Sequence, residues 1–145
     1  MKKQTVRFIL LAAIIALSAN FVAAQNPHFV AGPTLTDNGT TLTTTGSIAG
    51  LGNNQLIVIA LNVTATVTTT CTHPGGNVAP GQTKTVTLTK SGKFMSDQNG
   101  RVNFTITTPL PTPGQCPNGQ WTGTISDISF SNVSLSVNGQ VIYTQ

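Results

Sequence analysis

The sequence predicts an all-β protein: a single antiparallel β-sandwich, held by one disulfide and preceded by a signal peptide. Three observations predict this fold class. Segments alternate apolar and polar residues with a period of two, Asn-Gly pairs separate them, and 25 of the 145 residues are threonine. No stretch shows the 3.6-residue apolar period of an amphipathic helix.

The N-terminus has the three parts of a secretory signal peptide. A basic start at 1–7 precedes an unbroken apolar run at 8–17, and small residues follow at Val22-Ala23-Ala24. The run is shorter than the about 20 apolar residues that span a bilayer, so the pattern favours cleavage after Ala24 over a membrane anchor. We therefore expect a signal peptide at 1–24 and one domain at 25–145. The mature protein should be secreted, to the periplasm or the extracellular space.

The longest alternation runs from Gln55 to Cys71 and predicts a central strand. Its odd positions are mostly apolar, whereas its even positions from Asn62 onward are polar and mostly threonine. The start of the segment, Leu56–Leu61, is apolar at every position, which predicts that this end is covered on both faces. Cys71 has the apolar parity and should therefore lie at the end of the core.

Three later segments predict further strands with one buried face. Their inward residues are Val86 and Leu88; Val102, Phe104 and Ile106; and Trp121, Gly123 and Ile125. The parity of the last segment then shifts twice. These shifts predict a bulge near Ser126-Asp127 and a bend near Ser131-Asn132.

Three Asn-Gly pairs predict two-residue hairpin turns, since both positions adopt positive φ at low cost. Each predicted turn places two apolar residues opposite one another across the hairpin. The pairs at 38–39, 99–100 and 138–139 would set Leu35 against Leu42, Met95 against Phe104 and Leu135 against Ile142.

Two long Pro/Gly-rich loops, Thr72–Thr83 and Pro109–Gln120, are each flanked by predicted strands. The only two cysteines, Cys71 and Cys116, adjoin or lie within them, and an even count in an exported chain predicts a disulfide. The bridge would hold both loops at one end of the molecule. A free pair and a metal site that adds His73 to Cys71 are the alternatives, but no further ligand has zinc spacing.

Charged residues make up only 7 % of the chain, against about 25 % in typical soluble domains. Glutamate is absent, and the aspartates Asp37, Asp97 and Asp127 are far apart in sequence. This composition argues against the facing acid pair of a glycosidase and against a calcium loop that ends in glutamate. We expect neither catalysis nor a cofactor nor a metal. Beyond the signal, the cations are too few for a nucleic-acid surface: they are Lys84, Lys90, Lys93 and Arg101.

The threonine-rich strands and the segment 97–104 (DQNGRVNF) resemble secreted bacterial immunoglobulin-like modules. The resemblance covers most of the mature chain and implies an immunoglobulin-like sandwich. It is a resemblance to a class of modules and implies no particular ligand.

The first functional hypothesis is a non-catalytic structural or surface-interaction role, for example as a subunit of an extracellular matrix or fibre. The second is a carbohydrate-binding or adhesive module, in which Trp121 and Tyr143 would stack on sugars. The third is a small secreted hydrolase, or a protease inhibitor that uses the Pro-rich loops.

The segment after the signal is a candidate for self-association through His28, Phe29 and Val30. It would either fold back as the first strand of its own sandwich or lie along the edge of a neighbouring copy. The expected partners are therefore another copy or an extracellular polymer, and neither nucleic acid nor, after signal cleavage, a membrane.

Overall fold

The computed structural model of this chain describes residues 26–145, so the predicted signal peptide lies outside the described residues. The described part is all-β, as predicted, and contains no helix of the length and apolarity that crossing a bilayer requires. The strands are β1 (His28–Asp37), β2 (Leu42–Ala49), β3 (Leu56–Thr72), β4 (Val78–Pro80), β5 (Lys84–Met95), β6 (Val102–Thr107), β7 (Thr122–Val137) and β8 (Gln140–Thr144).

The strands form two antiparallel sheets. The smaller has the order β1-β2-β6. In the larger, β3 is central: it pairs with β4 and β5 on one side and with β7 on the other, and β8 lies outside β7. The 17-residue β3 and 16-residue β7 are the longest strands, and they carry the core of the larger sheet.

The predicted alternation of β3 is confirmed, because every odd position from Ile57 to Cys71 is buried. Its first half packs against the smaller sheet, including Ile48 and Phe104. Its second half, which includes Ala65 and Val67, forms a separate cluster with residues of β5 and β7 only. The smaller sheet therefore covers only about half of the length of β3.

The prediction that both faces are covered at Leu56–Leu61 is wrong. Leu56 is 58 % exposed and Val58 is 37 % exposed, since no layer lies over the outer face of the larger sheet there. Their neighbours Met95 and Val141 are also exposed. This end of the outer face therefore carries an apolar patch.

Both predicted irregularities of β7 are confirmed. Thr68 faces Asp127 while Thr69 faces Ile125, so Ser126 is an extra residue in the ladder. A second shift occurs beyond Ser131, where Asn132 has a positive φ of 48°. These two bulges let β7 follow β3 along nearly its whole length.

The turn at Asn138-Gly139 is confirmed: both residues have positive φ, and Val137 faces Gln140. The predicted facing of Leu135 with Ile142 is nevertheless wrong, because a register shift between Leu135 and Ser136 sets Leu135 against Tyr143.

The other two predicted hairpin registers are also wrong. The first turn is centred one residue later, since Asn38 N donates to Thr41 O, and Leu35 therefore faces Thr44. At 99–100 a turn forms, but β5 and β6 belong to different sheets. Met95 consequently faces Leu56 rather than Phe104.

Candidate functional site

The predicted disulfide is confirmed and defines one end of the molecule. Cys71 ends the buried row of β3 and bonds Cys116 of the Pro-rich segment, with Cα atoms 5.8 Å apart. Gly123 of β7 lies beside this bridge, where a side chain would come within 3.2 Å of the Cys116 sulfur. The disulfide thus ties an irregular segment to the centre of the larger sheet.

Thr69 fixes the two loops to the sheet at this end. Its side chain is 1 % exposed, and its Oγ1 accepts a hydrogen bond of 2.6 Å from Gly114 N. Its carbonyl accepts one of 2.8 Å from Gly81 N, and Gln82 N donates to Gln115 O across the loops. One buried threonine therefore anchors both loops.

We expect Thr69→Val to lower the free energy of unfolding by about 1–3 kcal/mol, because the near-isosteric side chain leaves the N–H of Gly114 without its acceptor. Urea denaturation measures the change. Thr69→Ser, which keeps the hydroxyl and loses only a methyl group, is the matched control. Equal losses in the two variants would contradict an anchoring role for the hydroxyl.

A cleft of about 390 Å³ opens beside the disulfide, between the two loops. It is lined by Pro80, Gly81, Gln82, Gln115, Cys116 and Pro117. Also at this end, the His73 and Trp121 rings meet edge to face with centroids 5.1 Å apart. Trp121 is half-buried, so part of its surface remains open to a ligand.

Tyr143 lies at the opposite end of β7 from Trp121, so the structure does not bring the two predicted stacking residues together. Its ring contacts Phe29 edge to face at 6.2 Å, and its hydroxyl donates to Gln145 Oε1. Tyr143 therefore packs against the core at the β8 side.

The candidate self-association segment folds back on its own sandwich in this structure. His28 and Phe29 pair with β2, and the Phe29 ring packs against Phe104 and Tyr143. Val30 lies at the register shift between Phe29 and Ala31, where it has no partner on β2, and it is 44 % exposed.

The carboxylates are dispersed, and two of them hold turns. Asp37 accepts from Gly39 N at 2.8 Å, and Asp97 accepts from the amides of Asn99 and Arg101. In residues 26–145, no three His, Cys, Asp or Glu side chains gather in a way that could hold a metal. The remaining carboxylate, Asp127, lies exposed at the β7 bulge.

The outer face of the larger sheet carries rows of hydroxyl groups that run across three strands. The residues of each row face one another in the register of β5, β3 and β7. One complete row consists of Thr85, Thr66 and Ser129, and a second consists of Thr87, Thr64 and Ser131. Threonine suits this position because its branched Cβ favours extended backbone.

Two long strand edges of the larger sheet have no hydrogen-bonded neighbour within residues 26–145. β5 pairs with β3 on one side, along an unbroken register of 12 residues, and with no strand on the other. β7 pairs with β8 only at Ser134–Val137. The outer side of 122–132 is therefore open, and we call this stretch the free segment of β7.

The remaining edges are short or interrupted. β4, β6 and β8 have three, six and five residues. β1 is longer, but its register shifts twice and Pro33 has no N–H to donate. Shortness, bulges and proline are features that protect sheet edges from added strands. Among the edges within residues 26–145, only β5 and the free segment of β7 present long stretches of unpaired backbone. The apolar–polar alternation of these strands does not reveal that they lie at an edge.

Comparison with protein-family models, with curated protein sequences and with solved structures found no match for this chain.

Proposed function

We propose that this protein is a structural subunit of an extracellular assembly, a secreted immunoglobulin-like sandwich whose copies join through sheet edges. The observation that carries the proposal is the pair of long open edges, β5 and the free segment of β7, on opposite sides of one sheet. An open edge presents unpaired N–H and C=O groups, to which a strand of another molecule can add.

Export is supported from two directions. Disulfides persist in oxidising compartments, and the Cys71–Cys116 bridge indicates such an environment. The pattern of 1–24 has the basic, apolar and small-residue parts of a signal peptide.

The chemistry of the described side chains favours a structural role over catalysis. Asp37 and Asp97 are engaged by turn amides, and the Nδ1 atoms of His28 and His73 hydrogen-bond nearby backbone groups. Low charge also supports association, because few like charges oppose the approach of two copies. The described residues carry four cations and three aspartates.

The test is whether the oxidised, exported protein polymerises. Light scattering and electron microscopy over rising concentration should show mass that grows into ribbons. Fibre diffraction should show the about 4.8 Å spacing of neighbouring strands along the ribbon axis. Protein that stays monomeric at every concentration would contradict the proposal.

Carbohydrate binding is the second candidate, and the His73–Trp121 pair, at the same end of the molecule as the cleft, favours it. Flat rings stack on the apolar faces of sugars, while Gln82 and Gln115 supply amide groups at the cleft. Monomeric protein that is retained on an immobilised polysaccharide would support this function instead.

A further inference from the structure

We infer that copies of this chain join in one direction only, with β5 of one copy pairing alongside the free segment of β7 of the next. The inference rests on the proposed function and specifies its contact. A contact between two different edges is heterologous, so it repeats without closing and gives an open filament.

The strand directions determine the geometry of this contact. β5 and β7 are both antiparallel to β3, so they run parallel to each other at the two sides of the same sheet. When the next copy keeps the same orientation and is displaced along the strands, β5 meets its free segment of β7 in parallel. The displacement is needed because 89–92 of β5 is level with Ser134–Val137, which β8 already covers. Parallel strands form evenly spaced hydrogen bonds, and the larger sheet then continues from copy to copy.

The charges on the two edges are complementary. Three of the four described cations, Lys84, Lys90 and Lys93, lie on β5. The free segment of β7 carries Asp127, the described carboxylate that no turn amide engages. Lys93 and Asp127 also share the outer face, since their register partners Val58 and Thr68 both lie there. These partners are ten residues apart on β3, so a displacement of ten residues along the strands sets Lys93 of one copy beside Asp127 of the next.

The same charges disfavour symmetric pairing of two β5 strands. A two-fold contact would place β5 antiparallel to its copy, with lysines of one strand near lysines of the other. Like charges that face each other across strands are destabilising. Lysines on an edge thus act against self-pairing while remaining compatible with an acidic partner edge.

The hydroxyl rows add a second element of complementarity. The row of Thr85, Thr66 and Ser129 begins on β5 and ends on β7 within one copy. In the register that sets Lys93 beside Asp127, Ser91 and Thr89 of one copy meet Thr124 and Thr122 of the next on the outer face. Cross-strand pairs of such residues contribute favourably to a sheet.

The experiment uses two variants, each of which reverses the charge of one edge. Asp127→Lys alters β7, and Lys90→Glu with Lys93→Glu alters β5; Lys84 is kept because its Nζ donates to Thr112 Oγ1 and holds a loop. A third variant, Asn53→Lys with Gln98→Lys, matches the +2 charge change of Asp127→Lys at exposed loop positions. Circular dichroism confirms that each variant folds.

We expect each edge variant alone to raise the critical concentration for polymerisation by about tenfold, the effect of 1.4 kcal/mol at one contact. An equimolar mixture of the two edge variants should polymerise again, since each then meets an edge of opposite charge. The loop variant should polymerise like the wild type.

Several results would overturn the inference while the proposed function stands. One such result is that the Asp127→Lys protein polymerises as readily as the wild type. Another is that the mixture of the two edge variants does not polymerise. A third is that the loop variant shows the same rise in critical concentration as the edge variants. Wild-type protein that never polymerises would overturn the inference and the proposed function together.

Discussion

Replacing both Cys71 and Cys116 with serine is expected to lower the free energy of unfolding by about 4 kcal/mol. The bridge closes a loop with a sequence separation of 45 residues, and the chain-entropy model gives about this value for a loop of that length. Typical domains are stable by about 5–15 kcal/mol, so the loss would remove a large share of the total. Urea denaturation with extrapolation to water measures it.

The wild-type protein in a reducing buffer is the control for this variant. Its stability should fall by a similar amount, because reduction opens the same loop without changing a side chain. A loss below about 1 kcal/mol would contradict the prediction. It would mean that the hydrogen bonds of Thr69 and Gln82 hold the two loops without the bridge.

Leu61→Ala is expected to lower the free energy of unfolding by about 2–5 kcal/mol, whereas Leu56→Ala should change it by less than about 0.5 kcal/mol. Both leucines lie on β3, but Leu61 is fully buried in the core and Leu56 is 58 % exposed on the outer face. Truncation therefore leaves a cavity only at Leu61. Parallel denaturation of the two variants makes the comparison.

Similar losses in the two leucine variants would contradict the structure at this end of β3. A large loss at Leu56 would mean that another layer covers the outer face, as the apolar run Leu56–Leu61 predicts from sequence. A negligible loss at Leu61 would mean that the core is loosely packed there.

The features that sequence predicts well are those set by neighbouring residues. The side-chain parity of β3 follows from its period of two, and the bulge at Ser126-Asp127 follows from a break in that period on β7. The pairing of Cys71 with Cys116 follows from having no other cysteine. Each of these needs no knowledge of which strands become neighbours.

The features that sequence misses depend on the partner strand. Asn99-Gly100 forms a turn, but the chain crosses there from one sheet to the other. Met95 and Phe104 therefore do not face each other across a hairpin. Leu56 and Val58 have a core composition, yet the smaller sheet lies only on their opposite face. Hairpin and burial predictions fail where a contact is made by distant segments.

The candidate site shows the same division. Its two aromatic residues could be selected from composition, but Trp121 and Tyr143 lie at opposite ends of β7. The two open edges could not be selected, because openness is a property of strand order. β5 and the free segment of β7 become candidates only when β3 is known to lie between them.

The position of the lysines on β5 has a consequence for resistance to proteases. Enzymes that cleave after basic residues find four such residues in 26–145, and Lys84, Lys90 and Lys93 all lie on β5, while Arg101 directly follows a turn. A strand that is paired on both sides cannot enter the extended groove of a protease. Assembly through β5 would therefore shield Lys90 and Lys93, so the polymer should resist digestion at these two positions, where the free subunit is cleaved.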